Sequence, residues 1–193
     1  MPKKKKAASK TSAKRTKKKV AAKKIKKTVK PIPPGFGTVT PYLVVRDAEK
    51  TIEFYRKAFG AQIKTVHRMP DGKVMHAALK IGDSMVLLNE EFPEWGALSP
   101  ATTGQTSVTI HLYVKDVDAM FQRAVAAGAT VQMPLMDAFW GDRYGQLVDP
   151  SGHKWSIGTH REDLTSAQIE IRAKAMTAQA NAHKPPDATR AAE

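Results

Sequence analysis

Apolar and polar positions change rhythm along this chain in an order that occurs twice. Residues 39–46 alternate, which predicts a strand. Ile52, Phe54, Tyr55, Ala58 and Phe59 then recur at helical spacing. Asp47 is placed to cap that helix, Glu49 sits in its first turn, and Gly60 can close it in the left-handed conformation. Strands are expected at 61–69, 73–82 and 84–90, joined by Pro70-Asp71-Gly72 and Gly82-Asp83. The second pass has a strand over 106–115 and Asp116 as cap. Val117, Met120, Phe121, Ala124 and Val125 form its apolar stripe, and Gly128 is its stop. Strands follow at 129–135, 143–149 and 153–158, with Asp149-Pro150-Ser151-Gly152 as a tight turn.

Each half therefore reads β-α-β-β-β, and the two halves share landmarks. Val44-Val45-Arg46-Asp47 and Ala58-Phe59-Gly60-Ala61 bracket the first helix, as Tyr113-Val114-Lys115-Asp116 and Ala126-Ala127-Gly128-Ala129 bracket the second. The aspartates lie 69 residues apart (116 − 47) and the glycines 68 (128 − 60). A unit of that size is too large for a solenoid repeat and too small for an independent domain. The expectation is one α+β domain over 38–160. It comprises module one (38–90), a linker (91–105) and module two (106–160), with a ligand cleft where the modules meet. Residues 161–193 should add a helix over 165–182, laid on the domain or on a partner, and a frayed end beyond Lys184.

Charge changes the picture at one end only. The chain carries +14, while residues 1–30 hold 14 Lys, one Arg and no acid, leaving about −1 for the rest. This Lys/Ala/Thr/Ser segment cannot bury enough apolar surface to offset chain entropy and is expected to be disordered. Pro31, Pro33, Pro34, Gly35 and Gly37 make a hinge, so residues 1–37 form tail and hinge. The tail is an electrostatic footprint for polyanions. Lys3, Lys4, Lys5, Lys6, Lys17, Lys18, Lys19, Lys23, Lys24, Lys26 and Lys27 are its candidate contacts to nucleic acid. No aromatic residue interleaves with them, so sequence readout is not expected. A merely solubilising arm is the other reading. With no cysteine there is no disulfide framework, thiolate metal site or cysteine nucleophile. No run of about 18 apolar residues exists, so no membrane partner is expected. A cytoplasmic location follows, with nucleoid or nuclear association through the tail as an option.

Strand alternation sorts the side chains by face. Leu43, Val45, Ile110, Leu112 and Val114 should pack on the helices, leaving Thr40, Tyr42, Val44, Thr109, His111 and Tyr113 opposite. Met75, Ala77, Leu79 and Ile81 form a further apolar row, leaving Val74, His76 and Lys80 on the second face. That mixed face suits a small-molecule pocket.

These residues carry a resemblance. Paired modules with V-x-D before each helix, G-A after it and Asp149-Pro150-Ser151-Gly152-His153 resemble the vicinal oxygen chelate superfamily of glyoxalase I, extradiol dioxygenases and bleomycin-resistance proteins. Thr40-Pro41-Tyr42-Leu43, Met75-His76-Ala77 with Ile81-Gly82-Asp83-Ser84, and the segment from Trp140 to Ser156 resemble its PhnB-like branch. The resemblance implies an open eight-stranded cup, commonly in a homodimer. In metal-using members each module supplies one ligand from its first strand and one from its last. The corresponding positions here are Thr40, Thr109, Ser156 and either Leu87 or Leu88, with Asn89 close by. None suits a transition metal, which prefers imidazole or carboxylate, so neither metal nor cofactor is expected. A rearranged site of His76, His111 and Glu90 is the alternative.

The candidate ligand-binding residues are Tyr42, His76, His111, Trp140 and Arg143. Each histidine reads either as a proton carrier facing a ligand or as a packed histidine. Trp140 and Arg143 read either as a frame for a planar or anionic ligand or as a structural hairpin, with Arg143 paired to Asp142 or Asp149. Trp95 is a weaker candidate for a lid or dimer contact, and Trp155 is expected in the core. No partnered nucleophile or phosphate loop is visible, and whether the protein is an enzyme stays open. The preferred function is binding of a small molecule in the cup without a chelated metal. The alternatives are a metal-dependent lyase or dioxygenase of the same superfamily, or a nucleic-acid-associated protein acting through its tail.

Overall fold

In the computed structural model, which describes residues 29–182, each half of the repeat builds one sheet and one helix. The first comprises β1 (Tyr42–Val45), α1 (Ala48–Phe59), β2 (Gln62–Arg68), β3 (Val74–Ile81) and β4 (Ser84–Glu90). A connection follows, containing a 3-10 turn (Pro93–Trp95) and the one-turn helix α2 (Pro100–Thr103). The second half has β5 (Thr109–Tyr113), α3 (Val117–Ala126), β6 (Thr130–Asp137), β7 (Asp142–Val148) and β8 (Lys154–His160). Helix α4 (Ser166–Ala182) ends the described chain. The expected tail, its candidate lysines at 27 and below, and the frayed end beyond Lys184 lie outside the described residues.

The sheets have the same topology, β1-β4-β3-β2 and β5-β8-β7-β6. β1 runs parallel to β4 and β5 parallel to β8, and the remaining pairs are antiparallel. The crossover helices start where expected. The Lys50 amide donates to Asp47 Oδ1 at 3.3 Å and the Ala119 amide to Asp116 Oδ1 at 2.9 Å. Glu90 assists: its two carboxylate oxygens accept the Asp47 and Ala48 amides at 2.7 and 2.8 Å. Orphan amides at the start of α1 thereby meet a negative charge from the end of β4.

One apolar core serves both modules. Leu43, Val45, Ile52, Phe59, Leu79 and Leu88 from the first join Val117, Phe121, Leu147, Trp155 and Ile157 from the second. Trp155 is fully buried, with its ring 4.8 Å from Phe59 and 5.3 Å from Tyr55 of α1. The turn before β8 bolts onto the same helix. Asp149 Oδ2 accepts the Tyr55 hydroxyl at 2.6 Å and the Trp155 indole N–H at 2.9 Å. Its Oδ1 accepts the Ser151 and His153 amides. Ser151 and Thr51 hydroxyls meet at 2.8 Å.

Several expectations are corrected. β1 begins at Tyr42 rather than near Val39, although β4 extends back to Ser84: Pro41 has no amide proton to give the ladder, and Val39 stands exposed. Met75 is 50% exposed whereas Val74 is 1% exposed. His67 pairs with His76 and Arg68 with Val74, so Met75 is the extra residue of a bulge that reverses the alternation. The linker carries helical turns because Glu91 organises it, accepting the Ser99 amide at 2.8 Å and the Ser99 and Thr102 hydroxyls. Helix α4 is tied back through Arg172 to Glu162 at 2.7 Å, while Ile171 and Met176 remain exposed.

Candidate functional site

Each sheet has one face covered by helices and one open face. On the first, Tyr42 is 52% exposed and its hydroxyl lies 3.1 Å from His76 Nδ1. His67 stacks beyond, 6.2 Å from His76 between ring centroids. Partial burial raises the pKa of Tyr42. Two of the expected site residues are thus brought into one pair.

The second open face is denser. Its cross-strand rows are His111, Ser156 and Gln146, then Tyr113, Gly158 and Tyr144. His111 Nδ1 lies 2.8 Å from the Ser156 hydroxyl. Its ring is 4.4 Å from Tyr113 and stacked 6.0 Å from Tyr144. Burial holds the imidazole below the ordinary histidine value, with the Asp142 charge opposing. It is therefore neutral at neutral pH.

Asp142 is the hub beside this wall, with 2% exposure. It accepts from the Tyr113 hydroxyl at 2.9 Å and the Trp140 indole at 2.9 Å, and pairs with His160 Nδ1 at 2.7 Å. Burial raises its pKa, but the bonds from His160, Tyr113 and Trp140 outweigh that and hold the carboxyl below its ordinary range. The same contact raises the Tyr113 phenol. His160 is raised by Asp163 first and Asp142 second.

Arg143 is not part of this assembly. Asp142, Tyr144 and Gln146 share one face of β7, so Arg143 falls on the other. It pairs there with Asp118 at 3.1 Å and Asp137 at 3.5 Å, not with Asp142 or Asp149. Trp140 keeps to Tyr144, with ring centroids 5.2 Å apart. The aromatic-plus-guanidinium frame is therefore not formed. Trp95 lies exposed on Phe92 at 4.7 Å. The residues missed from the sequence are Asp142, Tyr144, Gln146 and Gly158; Tyr113 is placed on the open face and Ser156 at a last-strand ligand position, neither as a ligand-binding residue. Alternation from Leu147 would have placed Arg143 on the core side and Tyr144 and Gln146 on the open side.

The positions where metal-using relatives carry ligands do not fit a metal here. Leu88 is fully buried on the helix side, which leaves Leu87 as the open-face residue of β4. Thr40, Leu87, Thr109 and Ser156 offer neutral hydroxyls and a hydrocarbon, a poor donor set for a transition ion. The rearranged trio does not assemble either. His76 and His111 lie on different sheets and the Glu90 carboxylate is committed to α1. Among the described residues no three His, Cys, Asp or Glu side chains form a group able to hold a metal.

The modules meet along their inner edges. A cleft of about 420 Å³ is lined by Val39, Pro41, Tyr42 and Leu43 from around β1, Thr106, Val108, Thr109 and Ile110 from around β5, and His153. His153 Nε2 lies 2.9 Å from the Val44 carbonyl and holds the edges in relation.

A family model for the Glyoxalase/Bleomycin resistance protein/Dioxygenase superfamily matches residues 35–157. The chain belongs to that superfamily. Two uncharacterized proteins, one from Mycobacterium tuberculosis and one from Mycobacterium bovis, are each 47% identical to it over 135 residues. The match spans 68% of this chain, with 79% of the first protein and 89% of the second. Among solved structures, TioX from Micromonospora sp. ML1 is 25% identical with a TM-score of 0.50, over 63% of this chain and 97% of that one. A gene product from Arabidopsis thaliana is 25% identical with a TM-score of 0.52, over 63% and 98%. Among the described residues no helix is long and apolar enough to cross a membrane.

Proposed function

We propose that the protein binds a small molecule on the open faces of its two sheets, in the manner of the PhnB-like branch, without a chelated metal. One observation carries this reading. The helix-covered faces are filled by a single apolar core, while the open faces hold aromatic and imidazole side chains at Tyr42, His76, His111, Tyr113 and Tyr144. Such a mixture of apolar area and few fixed polar groups suits a ligand rather than a packed interior. Exposed apolar side chains on both modules, among them Tyr42, Ile63, Met75 and Tyr113, also favour a homodimer that completes the site. Native mass spectrometry of freshly purified protein tests ligand, metal and subunit count together. A co-purified organic ligand in a metal-free dimer is expected. A stoichiometric metal lost in His76→Ala would overturn the reading.

A second reading concerns the tail. All the excess positive charge of the chain lies in residues 1–30, and the rest sums to about −1. That segregation favours a polyanion-binding arm carried by a neutral domain. Ten phosphate contacts would give a log–log salt slope of about −9. Low-salt retention on DNA should be lost on deleting residues 1–30; unchanged retention would refute it.

A further inference from the structure

The duplication places equivalent residues on the two open faces, and what lies behind them differs. Tyr42 pairs across strands with Leu87, which pairs with Ala78, and His76 lies two residues before Ala78. His111 pairs with Ser156, which pairs with Gln146, and Tyr144 lies two residues before Gln146. Tyr42 is thus the counterpart of His111, and His76 of Tyr144. In the first module the backing residues are Leu87 and Ala78, which offer no hydrogen bond. Tyr42 and His76 turn to each other instead, 3.1 Å apart. In the second module the backing residues are Ser156 and Gln146, and each engages one ring from behind.

We propose that His111 and Tyr144 form a two-donor clamp for the carbonyl oxygen of a small, neutral, conjugated carbonyl compound. This rests on the binding reading above and names its ligand class. The Ser156 hydroxyl is buried, and its partner is His111 Nδ1 at 2.8 Å. A buried hydroxyl left undonated costs more than one that gives up its proton, so it donates to Nδ1. The neutral ring then carries its proton on Nε2. Gln146 Nε2 donates to the Tyr144 oxygen at 2.8 Å, which leaves the phenol's own proton to point off the wall. Among the described residues nothing else accepts from either ring. Gly158 makes room between them. A Cβ there would lie 3.3 Å from His111 Cε1 and 3.6 Å from Nε2. The imidazole therefore leans over Gly158 and stacks toward Tyr144, their planes 19° apart. The two rings, 6.0 Å apart between centroids, thus present two neutral donors on the same face of the sheet.

Charge selects the acceptor. Asp142 lies two residues before Tyr144 on the same face; Oδ2 is tied to Tyr113 and Trp140, beside the donors, and Oδ1 to His160, which offsets part of its charge when protonated. A ligand carboxylate beside it would be repelled, whereas a polarised neutral carbonyl would not. The Tyr113 and Trp140 rings flank the donors and suit a flat conjugated body.

Imidazole ¹⁵N spectroscopy of the full-length protein at neutral pH tests this, with acetophenone and benzoate as probes. His111 should show the Nε2–H tautomer with Nδ1 as acceptor, a result that needs no variant. Acetophenone should shift the His111 and Tyr144 signals saturably. Benzoate should bind roughly tenfold more weakly or worse. The Ser156→Ala, Gln146→Ala protein, checked for an unchanged amide spectrum, should lose acetophenone affinity roughly tenfold, the worth of two neutral hydrogen bonds. An Nδ1–H tautomer, benzoate binding as well as acetophenone, or shifts absent from both rings would overturn the clamp. Should other fragments shift Tyr42, His76 or the inter-module cleft in that case, the binding reading stands and only the clamp falls.

Discussion

Replacing Tyr55 with Phe removes one oxygen from the contact that joins the two modules. Tyr55 is fully buried in α1, and its hydroxyl donates to Asp149 at 2.6 Å from the opposite half of the duplication. Asp149 keeps three other donors, the indole of Trp155 and two backbone amides, so the variant leaves a weakened rather than a bare carboxylate. Hydrogen bonds to charged groups contribute about 1.5–3 kcal/mol. The ring stays in place against Phe59 and Trp155, so little packing is lost. A loss near 2 kcal/mol is expected in urea unfolding, with an unchanged m-value, and a fall in Tm of about 4–8 °C for a domain of this size. The loss should carry a pH signature. Burial, then the Asp149 charge, raises the Tyr55 pKa well above 10.0. As pH climbs past 10.0, the unfolded phenol ionises while the folded one stays protonated, and wild-type stability falls. The gap between wild type and Tyr55→Phe should therefore narrow above that pH. A loss below about 0.5 kcal/mol, or a gap independent of alkaline pH, would refute the account of the bolt.

Three further outcomes follow from local geometry. Gly145→Ala would place a Cβ 2.7 Å from Phe121 Cε2 and 3.1 Å from Leu135 Cδ2. Overpacking of that kind should cost about 1–3 kcal/mol in urea unfolding. His111 should titrate by NMR with a midpoint below 6.5, since burial lowers it. Its neutral folded form makes stability drop as pH falls below 6.5, and His111→Gln should flatten that acid limb. His160 has the opposite sign, being raised above 6.5 by Asp163 and Asp142. Its contribution is complete below 6.5 and lost as pH rises through the folded value, so Tm differences between wild type and His160→Gln should vanish toward alkaline pH.

Elements marked by near neighbours were legible in the sequence. Asp47, Asp116 and Gly60 act within a turn of themselves, so their caps follow from residue type and spacing alone. The equality of the two modules followed from landmarks 69 residues apart. Features that need cross-strand register were not legible. The bulge at Met75 depends on how β2 pairs with β3, and nothing between Lys73 and Gly82 announces it. Glu90 and Asp149 read as a strand end and a turn, yet both close contacts formed only when distant elements dock. Tyr42 and His76 were singled out separately and form a pair. Residue type marks His111, Trp140 and Ser156 separately, but not that Ser156 meets the His111 ring or that Asp142 ties Tyr113 to Trp140. Arg143 opens a strand that the sequence does announce, but only alternation counted back from Leu147 sends its side chain away from the open face and toward Asp118.

Ser156 links the missing metal set to the second open face. The family resemblance implies a last-strand ligand position in each module of metal-using members, and here Ser156 and Leu87 stand at those positions. A hydroxyl is a poor donor to a transition ion, but it is a good partner for an imidazole nitrogen. Here it holds His111 from behind, while Gly158, two residues on, clears the space into which the ring leans. In this chain the position orients an organic side chain. The first module shows what happens when that position is apolar: its tyrosine and histidine consume each other. One duplicated backbone thus yields a self-satisfied pair in one half and an outward-facing pair in the other. The difference lies in the backing side chains, Leu87 and Ala78 against Ser156 and Gln146, and in Gly158 where the first module has Asn89; the paired rings occupy equivalent positions in both.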